Sequence, residues 1–247
     1  MPAPASPIYA LVDCNNFYVS AERVFNPKLE DRAVVVLSNN DGCAVARSAE
    51  AKALGIRMGE PWFQLQPLVK RHGLIGLSSN YTLYGDMSTR VMQVLRNFTP
   101  DVEVYSIDES FLRIERMRQL WPCFSMMGQT IRRDVRKWTG IPVCVGIGPT
   151  KTLAKLANHI AKKNPQFDGV FDMTTFPEDE LGRLLCAIEV SEVWGVGRRI
   201  AAKLNAMNIH TVEDLRRAPF KAIRLHFSVV LERTVAELQG ISCLALE

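Results

Sequence analysis

Up to about residue 173 the apolar positions of the chain alternate between two patterns; beyond it they follow one. The short continuous apolar runs Ile8–Val12, Ala33–Leu37 and Val143–Ile147 read as strands buried in a sheet, and Gly169–Met173 as a last short strand. Between them apolar residues recur at helical spacing over Asn15–Val24, Ala44–Leu54, Pro61–His72, Tyr84–Phe98, Ser125–Thr139 and Pro149–Lys163. Gly55, Pro100 and Gly140 stand where three of these helices should stop. Ser38–Gly42 is a turn by composition, and Val102–Ile114 predicts a hairpin. After Pro177 only helices follow, over Pro177–Ile188, Gly197–Met207, Thr211–Arg217 and Phe220–Gln239. The Thr174-Thr175-Phe176-Pro177 break sets a boundary near residue 174, and about 20–82 forms an insert of mixed structure.

The hairpin carries the most informative chemistry. Asp108 and Glu109 stand side by side in Val104-Tyr105-Ser106-Ile107-Asp108-Glu109-Ser110-Phe111-Leu112, and Asp13 closes the Ile8–Val12 run. Alone, each acid reads most simply as a turn or cap residue or a solvated hairpin tip. Embedded in apolar β-structure, however, two adjacent buried carboxylates repel and need a cation to stay ionised. Three carboxylates at strand ends suit two hard divalent cations, the arrangement used for nucleotidyl and phosphoryl transfer. Phe17 and Tyr18 lie one turn beyond Asp13. Phe17 reads as core, whereas an aromatic beside a nucleotide sugar could exclude a 2′-hydroxyl by bulk.

Composition adds a partner class. The 247 residues are 47% hydrophobic and 23% charged, ordinary for a soluble enzyme with a real core. The formal charge is only +4, but basic residues gather at Arg132–Lys137, Lys151–Lys163, Arg198–Lys203 and Arg216–Arg224, which favours a polyanionic partner. None of the six cysteines has zinc or redox spacing, and neither an export signal nor a membrane-spanning apolar run is present. These features predict a reduced, cytoplasmic protein with no membrane partner.

Two further motifs bear on phosphate. Gly146-Ile147-Gly148-Pro149-Thr150-Lys151 runs a strand into a helix N-terminus, which attracts anions, and Lys151 and Lys155 share a face; the spacing is not that of a P-loop. Trp194-Gly195-Val196-Gly197-Arg198-Arg199 has the form of a helix-hairpin-helix, whose glycines let backbone N–H groups approach a DNA phosphate. Gly195, Gly197, Arg198 and Lys151 are therefore the candidate DNA contacts.

Together these runs, with Leu37-Ser38-Asn39-Asn40-Asp41-Gly42-Cys43, Ala49-Glu50-Ala51-Lys52-Ala53-Leu54-Gly55 and Val229–Val235, resemble the Y-family DNA polymerases, and within them the UmuC-type catalytic subunits of bacterial DNA polymerase V. The resemblance covers essentially residues 8–247. It implies an α+β fold: a discontinuous ferredoxin-like palm (1–19 and 83–173), a small fingers insert (20–82) and an all-α helix-hairpin-helix thumb (174–247). It implies two Mg²⁺ held by Asp13, Asp108, Glu109 and the Cys14 carbonyl, Tyr18 with Phe17 at the nucleotide sugar, and Lys52 and Lys155 on the triphosphate. Where many members carry a triphosphate tyrosine this chain has Ala49, so that contact would be absent or supplied by Arg47 or Ser48. The implied activity is error-prone translesion synthesis in the SOS response, from dNTP onto a primed template, with a UmuD-type dimer and RecA as partners. The family's little-finger domain and sliding-clamp contacts would follow residue 247, so an idle DNA-binding fragment is the rival reading. A nucleotide cyclase would also use paired carboxylates, but it has no duplex for the Gly195–Gly197 hairpin to grip.

Overall fold

The computed structural model describes residues 6–246, so most of the Pro/Ala-rich start lies outside the described residues. In chain order the elements are β1 (Tyr9–Cys14), α1 (Phe17–Phe25), β2 (Val34–Leu37), β3 (Ala44–Arg47), α2 (Ala49–Ala53), α3 (Trp62–His72), β4 (Ile75–Ser78), α4 (Tyr81–Leu95), β5 (Val102–Val104), β6 (Glu109–Arg113), α5 (Phe124–Thr139), β7 (Val143–Gly148), α6 (Lys151–Lys163) and β8 (Val170–Asp172). Five helices complete the chain: α7 (Glu178–Cys186), α8 (Arg198–Asn205), α9 (Val212–Arg216), α10 (Phe220–His226) and α11 (Val229–Leu238). The architecture is α+β, as the strand and helix patterns imply.

The main sheet has the order β5-β6-β1-β7-β8, with β1 antiparallel to both neighbours and β7 parallel to β8. β1 is apolar throughout because both of its faces are covered. Ala10, Val12 and Cys14 join the core under α1, α4 and α5, while Tyr9 and Leu11 join Phe111 and Ala154 beneath α6. A smaller sheet of order β3-β2-β4 packs Val35 and Leu37 against Leu65 of α3 as a core of its own. Helices α7–α11 share a third core that extends onto Leu153, Leu156 and Ile160 of α6. α6 therefore lies between the sheet and the helical lobe.

Close packing explains the glycines before α6. A Cβ on Gly146 would sit 2.0 Å from the Asn158 nitrogen and 2.4 Å from the Ala154 carbonyl oxygen. The buried Asn158 amide donates to the carbonyls of Leu11 (3.3 Å) and Cys144 (2.9 Å), so one side chain pins α6 to both β1 and β7. These glycines serve helix–sheet contact, not phosphate. The helix N-terminus is likewise taken: Thr150 caps Leu153, and the fully buried Glu237 of α11 accepts from the Thr152 N–H at 3.0 Å. A protein carboxylate occupies the place where the sequence suggested an anion.

Three elements differ from expectation. Ala44–Leu54 is not one helix: Ala44–Arg47 is strand β3 on the edge of β2, and Ser48 then caps α2 by accepting from the Ala51 N–H. The same hydroxyl accepts from the Val34 N–H and donates to the Arg32 carbonyl. β4, a Gly-containing run parallel to β2, carries no strand signal; Gly76 is needed there because the Trp62 ring lies where its Cβ would be. Phe220–Gln239 is two helices, broken where Phe227 and Ser228 adopt extended backbone. Among the described residues no helix is long and apolar enough to cross a membrane.

Gly146→Ala should cost about 3 kcal/mol, because the clash is with backbone that cannot move without lifting α6 off the sheet. The check is a lower urea midpoint at unchanged denaturant slope.

Candidate active site

The β1–β6 register sets Asp13 opposite Glu109, and the Cys14 N–H donates to the Asp108 carbonyl at 2.9 Å. All three sequence-predicted acids thus meet at one end of two paired strands. Ser106 builds the turn before them: its hydroxyl donates to Asp108 Oδ1 (2.7 Å) and accepts from the Glu109 N–H (3.0 Å). The acids are half-buried rather than fully buried, because this end of the sheet opens on a cleft of about 310 Å³. Burial pushes the Asp13 carboxyl up to about 6; Lys162 opposes that rise, and Glu109 and Asp108 add to it.

Each acid is met by another group of the chain. Lys162 Nζ lies 2.6 Å from Asp13 Oδ1, and Lys155 Nζ donates to both oxygens of Glu109 at 2.8 and 3.0 Å. With the carboxylates drawn onto these lysines, no three His, Cys, Asp or Glu donors among the described residues enclose a metal position. The donor set is nonetheless hard oxygen, and the Cys14 thiol is buried, with burial raising its pKa well above the ordinary value.

Across the cleft stand Tyr18 and the basic residues. Asn16, in left-handed backbone (φ 50°), turns β1 sharply into α1 and so brings Tyr18 to the cleft. The Tyr18 ring stacks on the buried Tyr84 at 4.3 Å and meets the edge of Tyr81 at 5.9 Å, while Tyr84 donates to Glu22 at 2.8 Å. Phe17 is mainly a core residue, 3% exposed, though part of it reaches the cleft wall. Lys52 donates to Asn16 Oδ1 and lines the cleft with Arg47 and Lys162. Its pKa is lowered by burial and by the neighbouring Arg47 and Lys162 charges. Arg47 Nη1 donates to the Ile56 carbonyl, but its buried Nε has no partner.

Several expected sites are reassigned. Lys151 does not face a ligand: it is 4% exposed, paired with Glu103 and laid over the Phe111 ring. Ser48 is consumed by the cap of α2, which leaves Arg47 as the available contact beside Ala49. Lys155 sits on Glu109 and against the rings of Tyr105 and Trp194, outside the wall that holds Lys52. The residue beside Lys52 is Lys162, which the sequence reading missed although it lies two turns beyond Lys155 on one helix face. Gly195 (φ +85°) and Gly197 are exposed with open space where a side chain would be, and Arg198 is exposed beside them. The turn is entered from a single 3-10 turn (Val190–Glu192) rather than a helix. Trp194 seats it 5.5 Å from the Tyr105 ring, on the Lys155 side of the acids.

The chain is similar to several known proteins. The model of the impB/mucB/samB family matches residues 12–159. The chain is 54% identical over 243 residues to protein UmuC and 52% identical over 242 residues to protein SamB, both of Salmonella typhimurium; each match covers 97% of this chain and 56% of the relative. It is 30% identical over 223 residues to DNA polymerase IV of Pelotomaculum thermopropionicum, covering 89% of this chain and 53% of that one. The chain thus spans little more than half the length of the curated relatives it matches. Among solved structures, DinB from Sulfolobus solfataricus and an insertion ternary complex of Dbh DNA polymerase superpose with TM-scores of 0.79 and 0.81, each at 23% identity, covering 97% of this chain and 69% of theirs. At that identity the likeness shows the fold.

A raised carboxyl pKa means that the ionised form is disfavoured in the fold, so the cost appears as pH climbs from about 4 and is complete above about 6. Asp13→Asn should therefore gain stability over the wild type as pH rises from about 4 to about 6 and keep a constant advantage from there to pH 8. Thermal unfolding of both proteins in chelator reads this directly.

Proposed function

The chain belongs to the impB/mucB/samB family, the Y-family DNA polymerases of UmuC type, and from that premise we propose that it carries the catalytic core of error-prone, template-directed DNA synthesis. One observation carries the reading. Three carboxylates meet at the ends of paired strands, and two of them, Asp13 and Asp108, line a cleft with Tyr18, Arg47, Lys52 and Lys162. In this reading the main sheet with α4–α6 is the palm (1–19 and 83–173), the small sheet and α2–α3 are the fingers (20–82), and α7–α11 are the thumb (174–247).

Each site residue then has a task. Asp13, Asp108, Glu109 and the Cys14 carbonyl form a hard oxygen set that fits two Mg²⁺. The bound ions would supply Lewis-acid stabilisation of charge on the oxygens that enter and leave phosphorus. The nucleophile is the primer 3′-hydroxyl, whose oxygen bonds to the α-phosphorus as the bond to the β-phosphate bridge breaks and pyrophosphate leaves. Lys52 and Lys162 offset charge on the triphosphate, and the unpartnered Arg47 Nε gives that tail a further donor. Lys155 steadies Glu109 and stands between the acids and the thumb turn. Tyr18, backed by Tyr84, excludes a ribose 2′-hydroxyl. Gly195, Gly197 and Arg198 grip the duplex backbone without reading sequence. The resemblance to UmuC adds a cytoplasmic role in the SOS response, with a UmuD-type dimer and RecA as partners.

Mg²⁺-dependent extension of a primed template by this chain tests the reading; DNA binding without extension would support the idle-fragment alternative. Asp108→Ala should abolish extension and leave DNA affinity within about twofold, because affinity rests mainly on phosphate neutralisation; an unchanged extension rate would refute the assignment. Tyr18→Ala should raise the ratio of ribonucleotide to deoxyribonucleotide incorporation by at least about tenfold, the scale of a lost steric contact. Single-nucleotide incorporation kinetics decide whether it does.

A further inference from the structure

The two lysines on the acids are held differently. Lys155 is 16% exposed and cradled: besides Glu109 it lies 4.5 Å from the Tyr105 ring and 5.2 Å from the Trp194 ring. Lys162 has no cradle. Its side chain is 34% exposed, it pairs with Asp13 Oδ1, and it borders the cleft that also holds Lys52 and Arg47. A divalent cation bound to Asp13 and the Lys162 ammonium compete for one carboxylate, since two cations a few ångströms apart on it repel. Lys162 released from Asp13 would stand beside Lys52 and Arg47. A polyphosphate in the cleft would supply the missing negative charge.

We propose that Lys162 is an interlock between cation and nucleotide. In the nucleotide-free protein it neutralises Asp13 and weakens divalent-cation binding there. A triphosphate in the cleft draws the ammonium away, and the vacated oxygen takes the cation. Cation and nucleotide therefore bind cooperatively, and by linkage each tightens the other by the same factor. The inference rests on the reading of Asp13 as a metal ligand.

The test is a Mn²⁺ titration of the full chain followed by electron paramagnetic resonance of the free ion, with and without a non-hydrolysable dNTP analogue. Wild type should bind Mn²⁺ about tenfold tighter with the analogue, within the usual range of such couplings. Lys162→Met should bind Mn²⁺ tightly without the analogue and lose most of that enhancement. Lys162→Arg should keep it, and Lys163→Gln, which removes one neighbouring charge but no contact to Asp13, should behave as wild type. Equal nucleotide-free affinities of wild type and Lys162→Met, or full enhancement in Lys162→Met, would overturn the interlock. Asp13→Asn separates the two levels: wild-type Mn²⁺ binding by that variant overturns the metal-site reading itself, whereas its loss leaves the reading standing whatever Lys162→Met shows.

Discussion

The seating of α6 directly on the backbones of β1 and β7 is the constraint from which the rest of the molecule follows. It needs Gly146, since any side chain there would collide with the turn at Ala154–Asn158, and it needs the Asn158 amide to satisfy carbonyls on two strands at once. With the helix that close, lysines two turns apart, about 10 Å along its axis, converge on carboxylates that face each other across a strand pair. Move α6 outward by one side-chain layer and neither Lys155 nor Lys162 reaches an acid. The geometry at the cleft is thus set by the contact between α6 and the sheet.

The charges at the cleft are incompletely balanced. Two ammonium groups and one hydroxyl meet three carboxylates, yet burial still outweighs Lys162 at Asp13 and leaves its pKa above the usual carboxylate range. On the opposite wall the imbalance has the other sign: burial and the neighbouring Arg47 and Lys162 charges lower the pKa of Lys52, and Arg47 Nε has no acceptor. A cleft with a surplus of negative charge on one wall and of positive charge on the other fits a ligand that brings both a divalent cation and a phosphate chain.

The acids and Tyr18 were legible because local sequence decides them. Asp13 and Asp108-Glu109 interrupt runs that are otherwise apolar, and chain order places Tyr18 one turn on. The misread residues depend on distant partners. Ala44–Leu54 has the composition of a helix on both sides of Ser48, and Ala44–Arg47 becomes a strand only through pairing with β2. Helical spacing puts Lys151, Lys155 and Lys162 on related faces, but only tertiary contact shows that one is buried against Glu103, one pairs with Glu109 and one reaches Asp13. The N-terminus of α6 has every local mark of an anion site; its anion is Glu237, contributed from the other end of the chain.

Glu237 does more than fill that site. One of its oxygens takes the Thr152 N–H at the first turn of α6, and the other takes the N–H groups of Cys243 and Leu244, whose segment then accepts a hydrogen bond from Tyr9 of the sheet. The helical lobe, the lysine-bearing helix and the segment leaving the lobe are knotted at one carboxylate with no water around it. A rotation of the lobe that left α6 in place would strand the buried Thr152 N–H without its acceptor, so lobe and helix turn as one lever. The pose of the lobe and the reach of the two lysines toward the cleft are then a single mechanical coordinate, and whatever pulls on the chain beyond Leu244 pulls on that coordinate.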